Sequence, residues 1–548
     1  MDPNKQSIFH FASFSLTALL ALASRLRGQS CSCDRTTRPS SDDLNWYILL
    51  TFADGIEWVF RVPHTGHSQL KRWTASRLIV SEVATLAFVK AHTRIPVPQV
   101  YAYEANWTNE IGVPFMLMSK APGRKLSAYG WVDHASQSKP PAGKRLRDIS
   151  DNGKIRVMHQ LGALSCELSR HRFSKIGSLV QDGSGYYSIE QCLAPGLTWG
   201  GRDSLGRIAR GPFDTEGEYL DALVTAYSLH TKKLDMGSRS FFAPVPDPVE
   251  YDSYDKYRDA SLRWSDYIGL DKKAEQGSNR LQFCIAAQLM RDMIPSMTRQ
   301  RSWEETEGFP LAHPDLNFDN VFVDDKLNIS CIVNWGGACS APVPDALVTP
   351  GPRDMAPYTM DPRLVIAFRN GFEQATGMGR PYDRRIWERA DQMLFFQRLV
   401  RMRSMRAVYD FEKLFEMVNG QSRDHPTLSN LPELFAEVAD TGPENKQLRY
   451  ELEMFEWCNK QVDTYVPTGR GSRTIENIDR VAVAQKLTMM AEMNKKFIAD
   501  GRLWRWIEAA LEGQGAPPTK LIEDEGISCD YGDKRAGKSK DLRYQISV

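Results

Sequence analysis

The stretch Leu311 to Trp335, LAHPDLNFDNVFVDDKLNISCIVNW, constrains the fold more than any other part of the chain. It sets His313, Asp315 and Asn320 on one loop and then enters a hydrophobic strand at Val321 to Val323. The chain turns at Asp324-Asp325-Lys326 and returns as a second strand over Ile329 to Val333, which delivers Asn334 as a further oxygen-bearing position. Phosphoryl transfer needs a carboxylate beside the acceptor hydroxyl and oxygen ligands for the metal on the nucleotide phosphates. Asp315, with Asn320 five residues further on, supplies such a pair. The bare spacing H-x-D-x-x-x-x-N is weakly specific, and its strand-turn-strand context strengthens it. A purely structural alternative makes His313 a buried, hydrogen-bonded core histidine and Asp315 the cap of a turn.

Upstream, NWYILLTFADGIEWVFRVP from Asn45 to Pro63 alternates β-branched and aromatic residues around Asp54-Gly55, a strong hairpin signal. Helical spacing follows over Ser76 to His92 and is stopped by Ile95-Pro96-Val97-Pro98, after which Val97 to Tyr103 and Val113 to Met118 read as strands. Strand, strand, helix, strand, strand predicts an α+β lobe with an antiparallel sheet rather than repeated parallel crossovers. Asp133 to Lys154 reads as an exposed connection, and a helix resumes from Ile155 to about Arg170. Pro195 to Pro248, rich in Gly and Pro with a short helical pattern near Glu218 to Lys233, reads as an elaboration outside the core. Beyond Asp383 the pattern is almost wholly helical: Arg384 to Val418 ending at Asn419-Gly420, Glu444 to about Val462, and Ile475 to about Leu511. Arg398, Arg401, Arg403 and Arg406 on the first of these read as a solvated or salt-bridged face, and the polar tail from Gly513 to Val548 as disordered.

Ile8 to Ser24 is the one segment with the makings of a secretory signal. Leu16, Leu19, Leu20, Ala23 and Leu26 instead fit a packed helix capped by Ser15 and stopped by Gly28, and the run falls short of the roughly 20 residues that span a bilayer. Composition bears on the same choice. Nine cysteines thinly spread over 548 residues suit free thiols in a reducing, cytoplasmic setting, and Cys31 with Cys33 has no second close pair to complete a zinc site. With 69 basic and 68 acidic residues, no global field draws the chain toward nucleic acid or anionic lipid.

Several separated motifs, in order, resemble the aminoglycoside phosphotransferase or choline-kinase-like branch of the protein-kinase-like fold, in its large fungal subgroup. They cover roughly Phe11 to Gly371, about two thirds of the chain. GIEWVFRVP is similar to the strand carrying the phosphate-binding basic residue, which the resemblance assigns to Arg61, and SEVATLAFVKAHTRIPVPQVYAY makes Glu82 its acidic partner. FMLMSKAPG resembles the hinge between lobes, with Met118 as gatekeeper and the backbone of Ser119 and Ala121 as the adenine contact. FSKIGSL from Phe173 and GPF from Gly211 look like the fungal subgroup. HPDLNFDN resembles the catalytic loop: Asp315 would orient or deprotonate the acceptor, Asn320 would bind magnesium, and His313 would support the loop.

The resemblance thus implies a two-lobed fold: an N-terminal helix and lead-in over 1–39, a nucleotide-binding lobe over 40–125 and a catalytic lobe over 126–380. A helical region over 381–512, a candidate face for a protein partner, and the tail 513–548 complete it. It implies an ATP- and Mg2+-dependent phosphotransferase acting on an unidentified hydroxyl acceptor. Two departures bear on activity. The family's Ile-Asp-Trp reads Val333-Asn334-Trp335 here, which keeps a carbonyl oxygen and removes the charge that hard cations prefer. The loop PSSDDLNW has no glycine to close backbone amides on phosphate, so contact would rest more on the planar fork of Arg61. These departures motivate the alternative of a pseudokinase or interaction protein that binds nucleotide without turning it over.

Overall fold

Period-two alternation makes strands of Asn45–Phe52 (β1) and Glu57–Pro63 (β2), joined at Gly55, whose φ of 80° suits the tight turn. The computed structural model describes residues 9, 14–37, 39–42, 44–65, 70–131, 146–233, 277–298, 307–352, 360–378, 382–402, 407–420 and 431–441. Val100–Glu104 (β3) and Phe115–Ser119 (β4) join β1 and β2 in a six-stranded antiparallel sheet, in which β2 lies between β1 and β4 and β3 forms an edge. The expected strands near 97–103 and 113–118 are therefore present, each shifted toward its C-terminal end.

Both faces of this sheet are covered, and the alternation along β2 decides which side chain goes where. Trp58, Phe60 and Val62 join Phe115 and Leu117 in one apolar cluster with Leu19 and Ala23 of the helix Leu16–Arg27 (α1). Ser15 caps α1 and Gly28 ends it at φ 72°, as the sequence pattern indicates. Val59 faces the other way, with Met116 and Met118, onto Leu86, Phe88 and Val89 of the helix Arg72–His92 (α2). Arg61, two residues after Val59, lies on that same face, the one toward α2. The helix α2 starts four residues before the expected Ser76, and Thr93 rather than the later prolines ends it, its hydroxyl donating back to the Val89 carbonyl at 2.6 Å.

The chain leaves β4 through Pro122-Gly123 and at once pairs Arg124 and Lys125 with Val323 and Phe322 of the strand Val321–Val323 (β5), which in turn pairs with Ile329–Ile332 (β6). The segment between lobes is thus hydrogen-bonded directly to the polar loop's hairpin. Behind it lie the helix Asp151–Ser169 (α3) and the helix Pro362–Thr376, which share a cluster holding Leu161, Phe318, Val321, Phe368 and Phe372. Ser150 caps α3, so the last four residues of the expected exposed connection, Asp151 to Lys154, are helical, and the preceding 132–145 lie outside the described residues. A small antiparallel sheet packed by helices, then a mainly helical part with the polar loop, is the two-lobed α+β arrangement expected from the sequence.

Two other expectations change. The described part of the supposed elaboration belongs to the core: Leu197, Tyr219, Leu223 and Tyr227 are buried because Glu216–Lys233 presents one apolar stripe inward. The long helix expected from Arg384 is two, Arg384–Val400 and Ala407–Asn419, separated where Met402 adopts a left-handed φ of 52°. The motifs FSKIGSL and GPF meet, Ile176 and Phe213 exchanging backbone hydrogen bonds at 2.8 Å. The chain divides into two compact units, 1–230 with 286–434, which holds the elements above except the last three residues of Glu216–Lys233, and 231–285 with 435–547. The expected helices from Glu444 and Ile475 and the tail from Gly513 lie outside the described residues. No helix among the described residues is long and apolar enough to cross a membrane.

Gly123 makes the linker's close approach to the hairpin feasible. Its φ is 88°, and a Cβ there would lie 2.2 Å from the Val323 carbonyl oxygen. Gly123→Ala combines a left-handed backbone penalty with overpacking against backbone, and is expected to lower stability by about 2–4 kcal/mol. Urea unfolding midpoints check this; an unchanged midpoint would mean the linker does not rest on β5.

Candidate active site

The hairpin β5–β6 continues its ladder into the polar loop, because the Val333 N–H donates to the Asn320 carbonyl at 2.9 Å. Asn320 and Asn334 are thereby set side by side. The Asn320 Nδ2 donates to the Asp315 backbone carbonyl at 2.8 Å, and the Asn334 Nδ2 donates to the Asn320 Oδ1 at 2.7 Å. Asn334 sits at φ 64°, a left-handed position that Asn tolerates better than most residues. The three positions singled out in the sequence, 315, 320 and 334, are brought together by one chain of hydrogen bonds.

His313 fastens this arrangement. Its Nδ1 accepts the Asp315 N–H at 3.1 Å, so that nitrogen is unprotonated, and its Nε2 donates to the Val333 carbonyl at 2.9 Å. The ring meets the buried Trp335 edge-on, with centroids 4.7 Å apart. Burial, aided by the Arg401 charge, lowers the His313 pKa to about 4 from its ordinary 6.5, against the opposing pull of the Val333 carbonyl and Asp315. The imidazole is therefore neutral near pH 7, with both nitrogens engaged by backbone, which describes a loop clamp rather than a proton carrier.

On the sheet side, Arg61 Nη2 is ion-paired with Glu82 of α2, and both side chains are buried. Glu82 in turn borders the segment after Asn334, since a Cβ on Gly336 would lie 3.0 Å from its Oε2. The cavity lined by Arg61, Glu82, Met116 and Gly336 measures about 20 Å³, room for about one water. Met118 is buried in the sheet's helix-facing cluster. The Ser119 N–H already donates to the Gln99 carbonyl at 2.8 Å, so the sheet uses that donor, whereas Ala121 lies half-buried just beyond the strand. The glycine-free loop is folded on itself. Ser40 and Ser41 pair with Tyr47 and Trp46, and the Asp42 carboxylate accepts the Leu44 and Asn45 N–H groups at 2.8 and 2.7 Å. Backbone donors of the kind that cradle phosphate are here spent on an acidic side chain.

Sequence reasoning missed Arg401. Rather than lying on a solvated face, it donates through Nη1 to the Pro314 carbonyl at 2.7 Å and through Nε to the Gln397 Oε1 at 3.1 Å. Gln397 Nε2 donates to Asp345 at 2.9 Å, whose carboxyl is pushed up to about 6, chiefly by burial. Arg398 does form a salt bridge, with Asp410 at 3.2 Å, while Arg403 and Arg406 lie outside the described residues. Only an i, i+4 glutamine-to-arginine spacing hints at the relay that ends on the loop.

The donor set at 320 and 334 fits a divalent cation poorly: both side chains are neutral amides, one already donating to the oxygen of the other, where hard cations prefer carboxylate oxygens.

No protein-family model matches the chain. A subtelomeric hrmA-associated cluster protein of Aspergillus fumigatus is 25% identical over 331 residues, 57% of this chain and 58% of the relative, so the chain spans little more than half of its length. An altered inheritance of mitochondria protein 9 of Debaryomyces hansenii is 30% identical over 135 residues, 25% of this chain and 20% of that protein. Among solved structures, a macrolide 2'-phosphotransferase from Brachybacterium faecium is 14% identical, with 78% of this chain and 99% of that one covered at a TM-score of 0.30. A Plasmodium vivax ethanolamine kinase is 10% identical, with 75% and 83% covered at a TM-score of 0.34.

The clamp gives His313 a defined pH signature. Its folded pKa lies below its unfolded value, so between about 6.5 and about 4 the unfolded chain holds more protons and stability falls as pH drops through that window, by up to roughly 3 kcal/mol. His313→Gln removes this titration. The stability gap between wild type and variant is expected to narrow from about pH 7.5 to about pH 5, with other groups cancelling in the difference. Paired urea titrations measure it, and a gap that is constant or widens in acid would place the ring in an exposed or protonated state.

Proposed function

We propose that this chain is a kinase-like phosphotransferase that takes the terminal phosphoryl group of ATP and passes it to a hydroxyl acceptor. The observation that carries this reading is the continuous chain of hydrogen bonds from the Asp315 carbonyl through Asn320 to Asn334, beside a segment that borders Glu82, the partner of Arg61. In this reading Asp315, half-buried at the loop, orients the acceptor hydroxyl or takes its proton for in-line transfer. Arg61 sets positive charge near the phosphates, held in place by Glu82, and the backbone at Ala121 meets the adenine. Asn320 and Asn334 keep the loop rigid, so little reorganisation is needed when charge develops. Magnesium belongs to this reading only as a companion of the nucleotide phosphates, since the amide pair offers it no carboxylate.

A second reading, nucleotide binding without transfer, is favoured by two observations: the Asn334–Asn320 bond and the Asp42 carboxylate that occupies the loop's backbone donors. Labelled ATP with a panel of hydroxyl compounds separates the two. Under the first reading wild type yields a phosphorylated acceptor, and Asp315→Ala lowers that rate by about 10²-fold or more while leaving ATP affinity and unfolding midpoint nearly unchanged. Arg61→Ala is expected to weaken ATP binding by about 10-fold or more, from loss of a charge-assisted phosphate contact. ATP binding with no transfer to any acceptor would establish the second reading, and a collapse of the fold on Asp315→Ala would make that residue structural.

A further inference from the structure

Two hydrogen bonds fix how the amides at 320 and 334 are turned. The Asp315 backbone oxygen can only accept, so the group of Asn320 that faces it at 2.8 Å is its NH2, and the Asn320 oxygen faces Asn334. The group of Asn334 that meets that oxygen at 2.7 Å is then necessarily its own NH2. A carboxylate at 334 in this position would set two oxygens against each other, an arrangement that a cation between them relieves. With asparagine, an N–H bridges the gap instead. An amide nitrogen carries two hydrogens and this bond uses one, which leaves Asn334 a second donor.

We propose that this hydrogen bond replaces a divalent cation, so that the site takes a nucleoside triphosphate without a metal held at positions 320 and 334. The proposal rests on the nucleotide reading above and makes the binding of that nucleotide independent of cation. Charge on the phosphates is met by the Arg61 guanidinium and by neutral N–H donors. The left-handed backbone at 334 is one that Asp as well as Asn adopts, so Asn334→Asp tests the chemistry without a backbone clash.

The test measures ATP affinity of the full chain by calorimetry in excess EDTA and in excess Mg2+, and Mn2+ binding to the nucleotide-free chain by electron paramagnetic resonance, for wild type and Asn334→Asp. Wild-type affinity is expected to differ by less than about 3-fold between the two buffers, while Asn334→Asp binds ATP about 10-fold or more tightly with Mg2+ and gains a Mn2+ site that wild type lacks. A wild-type affinity that falls about 10-fold or more on chelation overturns the proposal and leaves the nucleotide reading standing. Failure of wild type to bind ATP in either buffer overturns the nucleotide reading, and the triphosphate part of the proposal with it. The Mn2+ arm still decides the substitution of bond for cation: a site gained only by Asn334→Asp supports it, and equal Mn2+ binding by both chains overturns it. The wild-type arms require no variant to fold.

Discussion

The imidazole of His313 accepts the Asp315 N–H on one side and donates to the Val333 carbonyl on the other, and the geometry of the site follows from its doing both at once. Asp315 belongs to the polar loop and Val333 to the end of the hairpin, eighteen positions away in sequence. One rigid ring therefore sets the separation of the Asp315 backbone from that of Val333, next to Asn334. Only a neutral imidazole with its proton on Nε2 can make both bonds, and burial against Trp335 keeps it neutral. Protonation of Nδ1 would confront the Asp315 N–H with a second donor.

Around that clamp the charges are arranged unevenly. Arg401 braces the loop from behind through the Pro314 carbonyl and is itself steered by Gln397 and Asp345. Arg61 is braced by Glu82 on the sheet side. Both guanidiniums are held by partners within the fold, so in the proposed reading their charges need not be gathered at the moment of binding. The groups that would touch phosphate show the opposite trend. An acidic side chain occupies the amides ahead of β1, and an amide pair stands at 320 and 334. In the proposed reading, this well-braced site with amides at 320 and 334 meets an anion by hydrogen bonds more than by metal.

Legibility in the sequence followed the range of the interactions. The β1–β2 hairpin was readable because alternation and Asp54-Gly55 act within a few residues. The polar loop with β5 and β6 was readable for the same reason, and so was α1, marked by Ser15 and Gly28. The early start of α2 at Arg72 escaped, since its first turn has no side-chain cap. The break at Met402 escaped as well, because neither glycine nor proline marks it. Arg401 was misplaced because its partner, the Pro314 carbonyl, lies 87 residues away, and a backbone oxygen leaves no trace in a residue pattern.

The sequence by itself determined the local chemistry: a carboxylate at 315, amides at 320 and 334, a guanidinium at 61 and a carboxylate at 82, each on an element whose type its neighbours dictate. Tertiary structure decided which of these groups meet. Whether the amide of Asn334 faces a cation or the oxygen of Asn320 depends on the ladder carried past Val333, and on a carbonyl at Asp315 that only accepts. Hydrogen-bond direction is a property of the assembled pair, which the identity of either residue leaves open.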